Sequence, residues 1–198
     1  MSGQYFTTPD SPAHRRMVTA RIWDTDYTFA TAGGVFSADG LDHATALLFR
    51  HSRPPVQARR VLDLGCGWGP IAVALARTCP MVVVDAIDVN DRALGLCAEN
   101  ARAAGVAERV RVFRPESADQ EVRYDEIWSN PPIRIGKTEL HALLTTWLVR
   151  LTPAGTARLV VGKNLGADTL QRWLADQGWR CERTASAKGF RVFAVTRS

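Results

Sequence analysis

From residue 60 onward, short runs of β-branched and apolar residues alternate with stretches whose apolar positions recur at helical spacing. That alternation predicts a parallel sheet covered by helices on both faces. Strands are expected at 60–64, 81–88, 110–113, 125–129, 156–161 and 190–196. The clearest helix spans 138–151, where Leu140, Leu143, Leu144, Trp147, Leu148 and Leu151 form one apolar stripe at i, i+3, i+4 and i+7 spacing. A second helix is expected over 91–104, with Asn90 as N-cap, Ala93, Leu94, Cys97, Ala101 and Ala104 facing inward and Gly105 as its stop. Pro153 and Gly155 predict a turn between the long helix and the strand after it. The last two strand-like stretches, 180–185 and 190–196, are separated only by 186–189, too short for a crossover helix, so they should pair antiparallel. The fold class is therefore α/β, a seven-stranded and mostly parallel sheet ending in an antiparallel hairpin.

With 198 residues the chain suits one structural domain. A Pro-rich joint, Arg53-Pro54-Pro55, divides an N-terminal extension over 1–55, expected to pack on the rest, from a main domain over 56–198. Apolar residues at 46% and charged residues at 23% exclude the disordered and membrane classes. No apolar run follows the first residues and none reaches spanning length, which predicts a cytoplasmic protein. Cys66, Cys79, Cys97 and Cys181 show no C-x-x-C pairing, so they are expected to be reduced packing residues, with no metal site. A net charge of +5, carried by arginine clusters such as Arg15-Arg16, favours a polyanionic partner.

The chemistry concentrates at strand ends. The first strand runs through Asp63 into Gly65-Cys66-Gly67-Trp68-Gly69, where missing β-carbons let backbone approach a ligand closely. Asp88 closes the next strand, where a carboxylate can accept from both hydroxyls of a ribose. Asp63 is placed either to order the glycine turn or to take a cofactor amino group. The G-x-G-x-G spacing differs from that of dinucleotide folds, which need close helix packing behind a pyrophosphate. At the end of the fourth strand stands Ser129-Asn130-Pro131-Pro132-Ile133. Prolines stiffen this backbone, and the Asn130 side-chain oxygen with the Pro131 carbonyl can accept both N–H groups of a planar amine. Such acceptors pull the nitrogen toward tetrahedral geometry and stabilise the charge that develops there. Arg134 and Lys137 follow, the basic side chains best placed for phosphates flanking an extruded base.

These motifs resemble those of the class I S-adenosylmethionine methyltransferases with their Rossmann-like fold, and most closely the RsmC-like branch that methylates guanine N2 in ribosomal RNA. The resemblance runs from Gly34: Val35-Phe36-Ser37, Leu41-Asp42 and Thr45 to Leu48 ahead of the first strand, Asp63 to Gly69, Asp88-Val89-Asn90, Asn130 to Arg134 with Gly136-Lys137, and Lys188-Gly189 to Val192. It implies S-adenosylmethionine as cofactor, held by Phe36, Thr45, Asp63, Gly65, Cys66, Gly67, Gly69, Asp88, Val89 and Asn130. It implies a catalytic stretch Asn130, Pro131, Pro132 and Ile133, and RNA of the small ribosomal subunit as partner. Three departures stand out. Ala44 replaces the family's glycine; the acidic residue expected near the adenine is not evident after the third strand, with Glu116 and Ser117 both open for its place; and no degenerate second copy of the domain, as in long bacterial members, is expected.

Ile133 stands where methyltransferases of adenine, cytosine or glutamine nitrogen usually carry an aromatic residue, which favours the guanine-N2 branch. Trp68, Trp128 or Phe36 can supply a stacking plane instead, so a protein glutamine or a small-molecule amine stays open as target. A catalytically silent RNA-binding module is opposed by the intact Asn130-Pro131 pair. A nicotinamide-dependent oxidoreductase is opposed by the glycine spacing and the terminal hairpin.

Overall fold

The computed structural model describes residues 14–131 and 136–198. The elements run β1 (Arg15–Ile22), β2 (Thr25–Ala32), α1 (His43–Arg50), β3 (Arg60–Leu64), α2 (Pro70–Thr78), β4 (Val83–Ile87), α3 (Asp91–Ala103), β5 (Val110–Phe113), β6 (Tyr124–Ser129), α4 (Lys137–Leu148), β7 (Leu151–Gly162), α5 (Ala167–Asp176), β8 (Trp179–Ala187) and β9 (Phe190–Arg197). Seven strands form one sheet in the order β5-β4-β3-β6-β7-β9-β8. The first five run parallel, and β9 pairs antiparallel with both β7 and β8. This is the expected α/β architecture with its closing hairpin.

Alternation along each strand sorts the core into two layers. Val61, Val84, Trp128, Val160 and Val192 face α1, α2 and α3, while Leu62, Ile87, Ile127, Leu159 and Phe193 face α4 and α5. Side chains at successive strand positions point to opposite faces, so a sheet covered on both sides needs unbroken apolar strands. Asn90 caps α3 as expected, accepting from the Arg92 and Ala93 N–H groups, and Gly105 follows the helix at φ 69.

Two expectations need correction. The long helix stops at Leu148, and Pro153 and Gly155 lie inside β7 rather than in a turn before it. The pairing of β6 with β7 jumps from Tyr124↔Leu151 to Glu126↔Thr156, so the extra residues bulge out there. Gly155 suits that bulge: a β-carbon would stand 3.0 Å from the Tyr124 carbonyl oxygen, a tight approach that the neighbours would have to yield to.

The elements β1, β2, α1 and α5 were not expected. The β1–β2 hairpin pairs Arg15 to Ile22 against Ala32 to Thr25. Asn100, buried in α3, fastens it by accepting from Ala30 N–H at 2.7 Å and donating to the Ala30 and Trp68 carbonyls at 2.9 and 2.8 Å. Phe29 packs on Trp68 with ring centroids 5.0 Å apart. The hairpin thereby shares its core with α2 and α3 and braces the turn after β3.

Candidate functional site

In this strand order the chain leaves β3 toward β4 on one side, and β6 lies on the other. The crevice between the carboxyl ends of β3 and β6 is the place where open α/β sheets bind ligands. A cavity of about 420 Å³ opens there, lined by Gly65, Cys66 and Gly67 after β3, by Asp88 and Val89 after β4, by Asn130 and Pro131 after β6, and by Phe36 and Thr45 from the segment before β3. That size is within the range of cofactor sites, roughly 300–1,000 Å³.

The turn after β3 is fixed by backbone. Gly65 and Cys66 N–H groups both donate to the Ile87 carbonyl, at 2.8 and 2.9 Å, and Gly69 N–H closes the turn on the Cys66 carbonyl at 2.9 Å. Gly65, Gly67 and Gly69 adopt φ of 79, 55 and 90, the left-handed region where a β-carbon is costly. Gly69 has a second reason: a β-carbon would meet Cys97 Sγ at 2.6 Å.

Asp63 lies behind this turn, fully buried and outside the cavity wall. Its Oδ2 accepts from Ala72 N–H at 2.9 Å, which caps α2 where Gly69 has no side chain to do so. This contact is thus to the first turn of α2, directly after the glycine turn. Burial pushes its carboxyl up to about 8, partly opposed by the Ala72 N–H and reinforced by the negative charge of Asp88. Gly69 likewise supports the wall without lining it.

Asp88 accepts from Gly67 N–H and Asn90 N–H, each at 2.9 Å. Burial raises its carboxyl above the ordinary range, against the pull of the Asn90, Gly67 and Val89 N–H groups and of Arg114. Its position ties the β4 end to the glycine turn and puts the carboxylate on the cavity. Beyond it, Pro115 lines the wall, whereas Glu116 is an exposed partner of Arg114. Neither Glu116 nor Ser117 lines the cavity.

The other end of the cavity is built around Asn130. Ser129 Oγ donates to the Leu64 carbonyl at 2.7 Å and locks the β6 end to β3. Asn130 Nδ2 donates to Asp42 Oδ2 at 2.9 Å and to Thr45 Oγ1 at 3.0 Å. Asp42 Oδ2 is also the N-cap of α1, accepting from Ala44 and Thr45 N–H groups at 2.8 and 3.2 Å. With both of its N–H groups so engaged, the Asn130 amide has one orientation, which leaves Oδ1 as its free acceptor on the cavity. Asp42 was not singled out as a site residue; its signal was the N-cap position ahead of His43 to Arg50.

Three ties hold the segment before α1 over the site. Trp68 Nε1 donates to the Phe36 carbonyl at 3.1 Å, Asn90 Nδ2 to the Gly34 carbonyl at 2.9 Å and Arg92 to the Gly33 carbonyl at 2.7 Å. Phe36 itself is half exposed on the rim. Trp128 is buried against Trp23 and Phe49 and does not reach the cavity, so it offers no stacking plane there. Phe190 and Leu143 do line it and were not foreseen in that role. Pro132, Ile133 and Arg134 lie outside the described residues, and Lys137 is exposed at the start of α4. All four cysteines are free thiols, three of them buried.

Among known families, the Methyltransferase small domain matches residues 26–194. The uncharacterized protein YbxB of Bacillus subtilis (strain 168) is 32% identical over 84% of this chain and 85% of its own length. The ribosomal RNA small subunit methyltransferase C of Shewanella halifaxensis is 33% identical over 70% of this chain, which spans 41% of that protein. The structure of the T. thermophilus 16S rRNA N2 methyltransferase RsmC with AdoMet and guanosine superposes with a TM-score of 0.78 at 25% identity, covering 96% of this chain and 52% of that one. The described residues fit the cofactor that such proteins use: glycine backbone beside a carboxylate at one end, an oriented amide at the other and apolar walls from Ile87, Val89 and Pro115 between. The chain thus belongs to the Methyltransferase small domain family and is an S-adenosylmethionine-dependent class I methyltransferase of the RsmC-like type.

Proposed function

We propose that this enzyme, working in the cytoplasm, methylates the exocyclic N2 amine of a guanine in small-subunit ribosomal RNA. The carrying observation is the Asn130 amide, held by Asp42 and Thr45 so that its oxygen is the free atom in the cavity shared with Gly65, Gly67 and Asp88. The likeness to RsmC proteins, one of them solved with guanosine, supports the choice of nucleobase.

The lone pair of an aromatic amine is delocalised into its ring, which makes the nitrogen a poor nucleophile. Asn130 Oδ1 and the Pro131 carbonyl accept its two N–H groups and turn the lone pair out of the ring plane. Bound S-adenosylmethionine supplies an electrophilic methyl on a sulfonium. Asp88 would hold the ribose hydroxyls of that cofactor, the Gly65 and Gly67 backbone would allow its close approach, and Thr45 and Phe36 would bound the site. The same two oxygens stabilise the positive charge that grows on nitrogen, an effect of about 3–4 kcal/mol per fixed dipole in a site closed to water. No strong base is needed at the transfer step, because the methylated nitrogen is acidic and loses its proton afterwards.

The test is incubation with methyl-labelled S-adenosylmethionine and small-subunit ribosomal RNA, followed by mass spectrometry of the digested nucleosides. Label on N2-methylguanosine is expected. Label confined to another base, to protein or to a small amine would refute the reading.

A further inference from the structure

Of the 25 Lys and Arg residues in the chain only three are lysines, Lys137, Lys163 and Lys188. All three stand at one edge of the sheet. Lys137 opens α4 after β6, Lys163 follows the end of β7, and Lys188 sits in the turn that enters β9. The strands β6, β7 and β9 are neighbours in the sheet. Lys163 N–H donates to the Gly189 carbonyl at 2.7 Å, which brings the β7 end against the β8–β9 turn. This is the edge that carries the cavity, to which β6 contributes Asn130, α4 contributes Leu143 and β9 contributes Phe190.

Two observations bear on what these lysines do. Each is exposed, and among the described residues none has an acidic partner. At this edge the nearby carboxylate Asp168, in the first turn of α5, is taken by Arg191, so the lysines keep their charge for a ligand. In addition Lys188 adopts φ 48 ahead of Gly189 at φ 80. Two successive positive φ values define a hairpin turn that favours Asn or Gly at its first position. A lysine there brings backbone strain, which a turn serving only to reverse the chain has no need to carry.

We propose that Lys163 and Lys188, flanked by Lys137, form the seat for the phosphodiester backbone of the RNA strand that delivers its base to Asn130. This rests on the reading of RNA as substrate. An ammonium is a compact charge with three rotatable donors and no fixed fork, so it holds phosphates without demanding one geometry. Contacts of that kind position a strand and leave the choice of base to the pocket. With strands about 4.8 Å apart, β6 to β9 covers about 10 Å of edge, a width matched to a single strand crossing the mouth.

Because lysines occur at these three positions alone, amine-selective acetylation read by peptide mass spectrometry reports directly on the seat. Acetylation is compared with and without small-subunit ribosomal RNA, and all three lysines are expected to lose reactivity when RNA is bound. The Lys163→Gln/Lys188→Gln variant should lower the slope of log affinity against log salt by about 1.4, at about 0.7 per phosphate on a single strand. Its KM for RNA should rise on the order of tenfold at low salt, while its affinity for S-adenosylhomocysteine stays that of the unaltered protein. Lys163→Arg/Lys188→Arg should restore the slope, since the requirement is charge at the edge. Equal acetylation with and without RNA, or an unchanged salt slope, would overturn the seat. If the protein forms N2-methylguanosine while its lysines stay reactive under RNA, the seat fails and the reaction stands. If the lysines are protected and no N2-methylguanosine forms, the reaction assignment fails and the seat stands.

Discussion

Replacing Asp42 separates two functions that one carboxylate oxygen performs. Asp42 Oδ2 caps α1 through the Ala44 and Thr45 N–H groups and also receives Asn130 Nδ2 at 2.9 Å. Asp42→Ala removes both. Loss of the cap costs about 1 kcal/mol, which for a chain of this size lowers Tm by roughly 2–4 °C. A hydrogen bond to a charged acceptor contributes about 1.5–3 kcal/mol. If about 2 kcal/mol of that is spent on holding the Asn130 amide oxygen toward the reacting amine, the single-turnover rate falls by at most roughly thirtyfold. Asp42→Ser tells the two apart, because serine still caps the helix but is too short to reach Asn130. It should recover the stability and keep the slow rate at saturating cofactor. In an Asn130→Ala background, which itself should lose on the order of a hundredfold in rate, Asp42→Ser should have no further effect on turnover. The assay is quenched single turnover on RNA with labelled cofactor, beside thermal melts of each variant. An Asp42→Ser protein with an undiminished rate would refute the claim that this carboxylate orients the amide.

Three further outcomes follow from the glycine turn and the carboxylates around it. Burial raises the Asp63 carboxyl from 3.8 to about 8, so the folded chain keeps a proton that the unfolded chain releases; this contribution is complete below about pH 4 and is lost as pH rises through about 8. Asp63→Asn should therefore flatten the fall in urea midpoint between pH 5 and pH 8, and an unaltered pH profile would exclude a protonated Asp63. Gly69→Ala places a β-carbon 2.6 Å from Cys97 Sγ at φ 90 and should destabilise the fold by about 2–4 kcal/mol in urea denaturation. Asp88→Asn should weaken binding of S-adenosylhomocysteine by about tenfold in calorimetry through loss of charge-assisted hydrogen bonds, whereas unchanged affinity would remove Asp88 from the ribose site.

The parts of the fold legible in the sequence are those whose side chains repeat. The strands β3 and β5 have the bounds expected from their short apolar segments, 60–64 and 110–113, and the four-residue link 186–189 was enough to fix β8 and β9 as an antiparallel pair. The β1–β2 hairpin left no such mark. Its strand β1 is largely exposed, and its turn puts Trp23 at φ 48 without a glycine, because the indole is held by the Phe49 and Ser52 carbonyls. Helix α5 carries Ala167, Leu170, Trp173 and Leu174 at helical spacing, a signal that was present in the sequence within only ten residues. Pro153 and Gly155 read as a turn because local chemistry cannot reveal that β6 holds the bulged segment in the sheet. For the site, the glycine turn, Asp88 and Asn130 were readable as motifs at strand ends, since function there depends on local backbone. The roles of Asp42, Leu143 and Phe190 depend on where separate elements meet in space, Asp42 and Asn130 lying 88 residues apart, which only the folded molecule displays.

The most direct test of the catalytic account is a crystal structure of the protein with S-adenosylhomocysteine and guanosine. It should show guanine N2 within hydrogen-bond distance, about 3 Å, of Asn130 Oδ1 and the Pro131 carbonyl, with the sulfur across the nitrogen from them. Guanosine bound with N2 turned away from Asn130, or an Asn130 amide presenting its nitrogen to the base, would contradict it.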